Sequence, residues 1–223
     1  MPLILNIETS STICSVCIAR DGELLDHCED RQGNSHARVL TVFIEDLVQK
    51  NNLALSDLDA IAVSAGPGSY TGLRIGTSVA KGLCYALNKP LIAVPTLAAM
   101  AGAMLIKAND PDAVYMPAID ARRMEIYTAI FNAEGREILS TRAAIVDEGF
   151  AALLESFGKL FVAGSGTEKC KLIFKSSYIR FVEDIDCDAR YMVSIAEEHM
   201  KKQQFEDLTY FEPFYLKEFG AKT

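Results

Sequence analysis

The sequence has no surplus of positive charge. Its 22 basic residues face 30 acidic ones, giving a net charge of −8 and a pI near 5.0. A chain of that sign repels nucleic-acid phosphates, which excludes an unaided grip on RNA or DNA and calls for a basic partner in any work on them. The apolar start MPLILNIETS has neither a basic leader nor a small-residue cleavage site, so it reads as a first core strand, and a cytoplasmic protein is expected. Long apolar runs are missing too. The longest, residues 91–106, is broken by Pro95, Thr96 and Gly102 and falls short of the roughly 20 residues a spanning helix needs. It reads as strand, turn and buried helix, with no membrane role.

Several catalytic signatures are also absent. His27, His36 and His199 show no HxxxH or HExxH spacing, which excludes a metal pair carried on one helix and leaves each histidine structural or exposed. No GxSxG occurs, so the nucleophile elbow of serine hydrolases is excluded, and Ser69 as a lone nucleophile has no supporting partner. Cys14 and Cys17 make a CxxC, but on a strand positions three apart point to opposite faces, and no second CxxC or CxxH supplies further ligands. Together with Cys28, Cys84, Cys170 and Cys187 they lie mostly inside apolar patterns, as small buried hydrophobes do in a reducing compartment. No metal is expected.

What the chain does contain is enough apolar residue, half of 223, to build a substantial core. Alternation and turn signals predict strands at 3–8, 13–20 and 23–29, the last two joined by the hairpin pair Asp21-Gly22. Asn34 and Ser35 offer caps to a helix over 35–50, whose Leu40, Phe43, Ile44, Leu47 and Val48 recur at helical spacing, while Val39 and Val42 widen the stripe. A buried strand over 58–65, a glycine turn, a helix over 71–87 ending before Pro90, a strand at 91–94 and a helix over 96–107 complete the half. The order is βββαβαβα. It repeats as strands near 113–119, 123–131 and 136–146, helix 147–157, strand 159–163, helix 167–174, strand 178–182 and helix 188–202. Two α/β subdomains follow, 1–109 and 110–223, joined at the turn-forming Asn109-Asp110-Pro111-Asp112 and flanking a cleft of the kind where ligands collect in open sheets.

The halves also share candidate site residues. Each opens with a strand ending in an acid, Glu8 or Asp120, and each has a glycine turn after its fourth strand, GPGSYTGLRIG at Gly66–Gly76 and VAGSG around Gly164 and Gly166. Gly66, Gly68, Gly72 and Gly76 free the backbone beside hydroxyls of Ser69, Tyr70 and Thr71, so the amides at this helix start would suit an anion; a tight turn with close helix packing explains the same residues. The segment is neither GxGxxG nor a GK[ST] loop. Glu8 and Asp120 would hold a metal or a water if they faced each other, and are otherwise capping or solvated strand ends. Arg122 and Arg123 in IDARRMEIY would engage phosphate or carboxylate, although on a strand only one of them faces inward.

ILNIETS with its hairpin, NSHARVL, GPGSYTGLRIG, IDARRMEIY and EPFYLKE together resemble the TsaB family, from residue 3 to about 217. The resemblance implies a duplicated ribonuclease-H-like, actin-like (ASKHA) fold, which agrees with the repeat. It implies a dimerisation subunit of the machinery that attaches threonylcarbamoyl to the adenosine beside the anticodon of certain tRNAs, inactive itself. A TsaD-like subunit would carry the metal and catalytic site, a TsaE-like ATPase would assist, and tRNA would be met only through the complex. The active relatives place metal-binding histidines at HxxxH spacing, and actin-like kinases favour an Asp and glycines where this chain has Glu8-Thr9-Ser10. The resemblance further implies that the helices flanking the glycine turn, through Val39, Val42, Phe43, Thr71, Arg74, Ile75, Ser78 and Val79, contact TsaD, or a second copy when TsaD is missing. Glu8, Gly66, Gly68, Ser69, Asp120, Arg122, Gly164 and Gly166 would then line a vestigial ligand cleft, with no cofactor or only weak nucleotide binding. Lys217 stands where the family commonly has arginine, which would lose bidentate pairing. The competing expectation is an actin-like small-molecule kinase or nucleotide hydrolase using Glu8, Asp120 and the two glycine turns.

Overall fold

The protein's structure, a computed structural model, describes residues 1–33 and 36–217. The expected caps Asn34 and Ser35 and the tail residue Glu218 lie outside the described residues. Its contacts form two compact units, one of Met1–Thr96 with the chain from Cys187 onward, the other of Leu97–Asp186. The turn at Asn109–Asp112 follows the repeat in the sequence; the contacts group differently because the last segment returns to the first unit.

In the first unit β1 (Leu3–Glu8), β2 (Cys14–Arg20) and β3 (Glu23–Asp30) form an antiparallel meander, and β4 (Ala60–Ser64) and β5 (Leu91–Val94) extend it in parallel, in the order β3-β2-β1-β4-β5. The β2–β3 hairpin turns on Asp21 and Gly22 at φ 55° and 80°, the left-handed pair that a two-residue turn matched to strand twist demands. α1 (His36–Lys50) and α2 (Tyr70–Leu87) cover one face. Leu3, Leu5, Ile7, Val16, Ile18, Ile61 and Val63 meet Leu40, Ile44, Leu47 and Val48 of α1 and Ala80 and Cys84 of α2. The opposite face, carrying Cys17 and Ala19, packs on Ala189 and Val193 of the returning segment, a 3-10 turn at Ala189–Met192 followed by α6 (Val193–Lys201). Because both faces are covered, β1 is buried along its whole length and shows no polar alternation.

After α3 (Thr96–Ala108), the second unit repeats the plan: β6 (Val114–Asp120), β7 (Glu125–Phe131), β8 (Glu137–Ile145), α4 (Glu148–Glu155), β9 (Leu160–Ala163), α5 (Thr167–Ile173) and β10 (Ile179–Phe181). Its sheet runs β8-β7-β6-β9-β10, with the same pattern of antiparallel and parallel neighbours. The repeat of two α/β halves is as expected, and the architecture is the duplicated ribonuclease-H-like one that the family resemblance implied. Among the described residues no helix is long and apolar enough to cross a membrane.

The departures from expectation are local. Residues 121–124 form a tight turn, so β7 starts at Glu125 and neither Arg122 nor Arg123 is on a strand; both adopt left-handed backbone, φ 68° and 47°. The helix expected at 188–202 begins as a 3-10 turn because the Asp188 side chain accepts the Arg190 amide at 2.8 Å and tightens the first turn.

The Ser15 hydroxyl on β2 accepts the Ala189 amide at 2.9 Å and fastens the returning segment to the sheet. Ser15→Ala leaves that buried N–H without its partner. A loss of about 1–3 kcal/mol in urea unfolding is expected, with faster hydrogen exchange at Ala189.

Candidate functional site

The glycine turn between β4 and α2 is shaped by what lies against it. A Cβ on Gly68 would strike the Ser10 backbone, one on Gly72 the Thr9 carbonyl, and one on Gly76 the Thr9 hydroxyl. The first turns of α2 therefore lie directly on the β1–β2 connection, a backbone-to-backbone approach that only glycine permits. Two hydrogen bonds fix the contact and a third caps the helix. Ser69 N–H donates to the Ser10 carbonyl at 2.6 Å, Thr9 Oγ1 donates to the Gly72 carbonyl at 2.8 Å, and Ser69 Oγ caps the helix by accepting from Gly72 N–H at 3.2 Å. The Ser69 and Gly72 amides, which an anion at this helix start would have used, are thus engaged by the chain itself. On the other side of the turn, Phe214 N–H donates to the Ala65 carbonyl at 2.8 Å, and Gly66, at φ 96°, leaves no room for a side chain beside the Phe214 carbonyl.

Glu8 is sealed beneath this contact, 1% exposed, with Oε1 accepting from Ser10 N–H at 2.6 Å. Burial pushes its carboxyl above the ordinary glutamate range, and the hydrogen bonds from Ser10 and Ser64 only partly oppose that. It is not a solvated strand end. In the second unit Asp120 is exposed and accepts from Lys169 Nζ at 2.8 Å and from Arg122 N–H at 2.6 Å. The VAGSG turn packs as its counterpart does. Gly166 N–H donates to the Ala118 carbonyl at 2.8 Å, and a Cβ on Gly164, at φ 111°, would meet the same oxygen at 2.5 Å. Ser165 Oγ accepts from Asp120 N–H at 3.1 Å. The eight cleft residues thus fall into two groups: Glu8, Gly66, Gly68 and Ser69 in the first unit, and Asp120, Arg122, Gly164 and Gly166 in the second.

The eight interface residues lie on α1 and α2, which pack side by side. Val39, Phe43, Ile75 and Val79 are half-buried against the core, whereas Val42 is 49% exposed. Thr71, Arg74 and Ser78 are exposed and continue through Gly82 to Tyr85 as one stripe at helical spacing. The Arg74 guanidinium lies 4.3 Å from the Tyr70 ring centroid, and Tyr70 meets Tyr215 at 4.8 Å between centroids. Lys81 Nζ donates to the Phe211 carbonyl at 3.2 Å. The tail therefore lies along α2, a placement that no periodicity in EPFYLKE announced.

The cysteines are all free. Cys14 faces α1 and α2 while Cys17 faces the returning segment, as the three-residue spacing required. Burial pushes the Cys14, Cys84 and Cys170 thiols up to about 12, which leaves them protonated and unreactive at neutral pH. One group escaped the sequence analysis. His27 Nε2 lies 3.8 Å from both Glu29 Oε2 and Asp188 Oδ1. Burial lowers His27 from its ordinary value despite those carboxylates. Burial pushes the Asp188 carboxyl up, but the Arg190 fork, with contacts of 2.5–3.1 Å, outweighs it and holds the group below its usual range. Period two on β3 could have paired His27 with Glu29; nothing local ties either to Asp188.

Comparison with known proteins identifies the relatives. A family model described as TsaD: tRNA N6-adenosine threonylcarbamoyltransferase matches residues 30–223. The tRNA threonylcarbamoyladenosine biosynthesis protein TsaB of Haemophilus influenzae is 29% identical over 233 aligned positions, covering 96% of this chain and 93% of that one. Its Escherichia coli namesake is 38% identical over 126 residues, 56% of this chain and 53% of that one. YeaZ from Pseudomonas aeruginosa superposes with a TM-score of 0.81 at 28% identity, covering 97% of this chain and all of that one. The ethanolamine utilization protein EutJ of Carboxydothermus hydrogenoformans shares the fold alone, with a TM-score of 0.54 and 10% identity over 87% of this chain and 90% of that one.

Two predictions follow from the packed turn. Gly72→Ala forces a Cβ into the Thr9 carbonyl and is expected to cost about 3 kcal/mol or more, whereas Gly82→Ala, in open space on the same helix, gains about 1 kcal/mol by urea unfolding. For Glu8, whose native value is raised, the stability it contributes is fully present below its unfolded-state value and is lost as pH rises through the native one. The difference in unfolding free energy between wild type and Glu8→Gln should therefore shift in favour of the variant as pH rises through that range; parallel pH profiles would contradict the assignment.

Proposed function

We propose a function from one premise: the chain belongs to the TsaD family of tRNA N6-adenosine threonylcarbamoyltransferases, as one of its TsaB members. In that chemistry it acts as a non-catalytic subunit, binding and supporting a TsaD-like partner that transfers the threonylcarbamoyl group to the adenosine beside the tRNA anticodon. The observation that carries this reading is the closed glycine turn. Its helix-start amides at Ser69 and Gly72 bond within the chain, the acid at the end of β1 is buried beneath it, and the acid at the end of β6 is paired with Lys169. Such a constellation offers a nucleotide little, which supports binding that is at most weak or vestigial and a role that needs no cofactor of its own.

The partner contact is assigned to the α1–α2 face. Thr71, Ser78 and Gly82 give α2 an exposed outer stripe of small residues, interrupted by Arg74 over the Tyr70 ring and ending in the exposed ring of Tyr85, with Val42 of α1 also exposed. Small residues allow close approach of a second helix pair, and arginine and tyrosine are the side chains that concentrate binding energy in interfaces. A TsaD-like subunit takes this face in the heterodimer, and a second copy takes it when the chain is alone. A TsaE-like ATPase joins the assembly. The net charge of −8 fits a subunit that meets tRNA only through its partners, in the cytoplasm.

Adding the purified chain to its TsaD and TsaE counterparts should restore threonylcarbamoylation of tRNA. Equal modification without it would overturn the proposal. Val42→Glu, at a position outside the core, should leave thermal stability within about 0.5 kcal/mol of wild type and abolish co-elution with TsaD in light scattering. Val39→Glu or Val79→Glu would test the face less cleanly, because both side chains also pack on the core.

A further inference from the structure

We infer that His27, Glu29 and Asp188 form a binding site for a divalent first-row metal ion of the zinc type. His27 and Glu29 are two apart on β3, so both point to the sheet face that carries Ser15 and Cys17, the face on which the returning segment lies. Asp188 caps the 3-10 turn of that segment and meets them there. The three ligating atoms all lie within 4.8 Å of one another, with 3.8 Å separating His27 Nε2 from each carboxylate oxygen. Tetrahedral zinc, with bonds of about 2.0–2.1 Å, sets its ligands roughly 3.4 Å apart, so the two separations from His27 need to shorten by about 0.4 Å and the carboxylates need to draw together by at most about 1.4 Å, within reach of side-chain rotation.

Two of the three atoms have no other use in the fold. His27 Nε2 and Glu29 Oε2 are shut off from solvent without a hydrogen-bond partner, and 3.8 Å is too long for a bond between them. The Asp188 side chain is only 2% exposed. Each carboxylate is oriented from outside the cluster. Arg31 Nε donates to Glu29 Oε1 at 2.9 Å, and Arg190 grips Asp188. Ligating carboxylates in metal sites are held in this way, and His27 Nε2 and Glu29 Oε2 are left facing inward, while Asp188 Oδ1 would share its lone pairs between the ion and Arg190. One nitrogen and two carboxylate oxygens suit a borderline ion, and the fourth position falls to water. The histidine spacing in the sequence excluded a pair on one helix; it did not address a strand and a distant turn. An ion here would clamp the edge strand β3 to the returning segment.

Isothermal titration of the chelator-stripped full chain with zinc chloride should show one saturable equivalent, weakened at least about 100-fold in both His27→Gln and Glu29→Gln. Zinc should raise the wild-type melting temperature in a concentration-dependent way and leave the variants unmoved. Glu29→Gln keeps an oxygen for Arg31, so the metal-free variant should unfold as wild type does. The wild-type cobalt complex gives a second measurement, with a visible spectrum expected to lack a thiolate charge-transfer band. Absence of saturable uptake, equal uptake by the variants, or a thiolate band from the cysteines would each overturn the site.

Discussion

The backbone of Thr9 and Ser10 lies against the first turns of α2 more closely than any side chain would allow, and much of the first unit depends on that contact. Gly72 and Gly76 fall on one face of α2 because they are four residues apart, and Gly68, in the turn just before the helix, continues the same stretch of bare backbone against the β1–β2 connection. The Thr9 hydroxyl and the Ser69 amide then lock the two elements in register. The contact has two outcomes. It seals Glu8 away from solvent, and it sets the azimuth of α2, hence which of its residues look outward. A residue series usually read as a phosphate cradle here serves as a bearing surface for a helix.

The same solution appears in the second unit with fewer glycines. Gly164 and Gly166 close on Ala118 as Gly68, Gly72 and Gly76 close on Thr9 and Ser10, and the two sheets share one strand order. The differences are chemical. The first unit buries its strand-end acid, while the second leaves Asp120 at the surface in an ion pair. Duplication preserved the packing and let the polar positions diverge.

The fold was legible in the sequence because its signals are local. Apolar alternation located the strands, helical spacing located α1 and α2, and Asp21-Gly22 announced its hairpin in the two residues that form it. Arg122 and Arg123 misled because arginine carries no preference for left-handed backbone; the turn there is imposed by Asp120 accepting the Arg122 amide. The site was legible in part. The glycines declared a close approach, but not to what, and nothing in ILNIETS distinguishes a buried Glu8 from a solvated one. The meeting of His27 with Asp188 is a product of topology, across a separation no window of sequence spans.

The return of the chain to its first unit has a further consequence, for synthesis. Domains usually condense in the order in which they leave the ribosome. Here residues 97–186 are complete while the first sheet still lacks the cover for one of its faces, since the amide that Ser15 awaits belongs to a residue 174 positions later. The later-made unit is therefore the first able to finish. The earlier one passes through translation with Cys17 and Ala19 bare on a half-clad sheet, a stage at which a chaperone has an apolar strand face to hold.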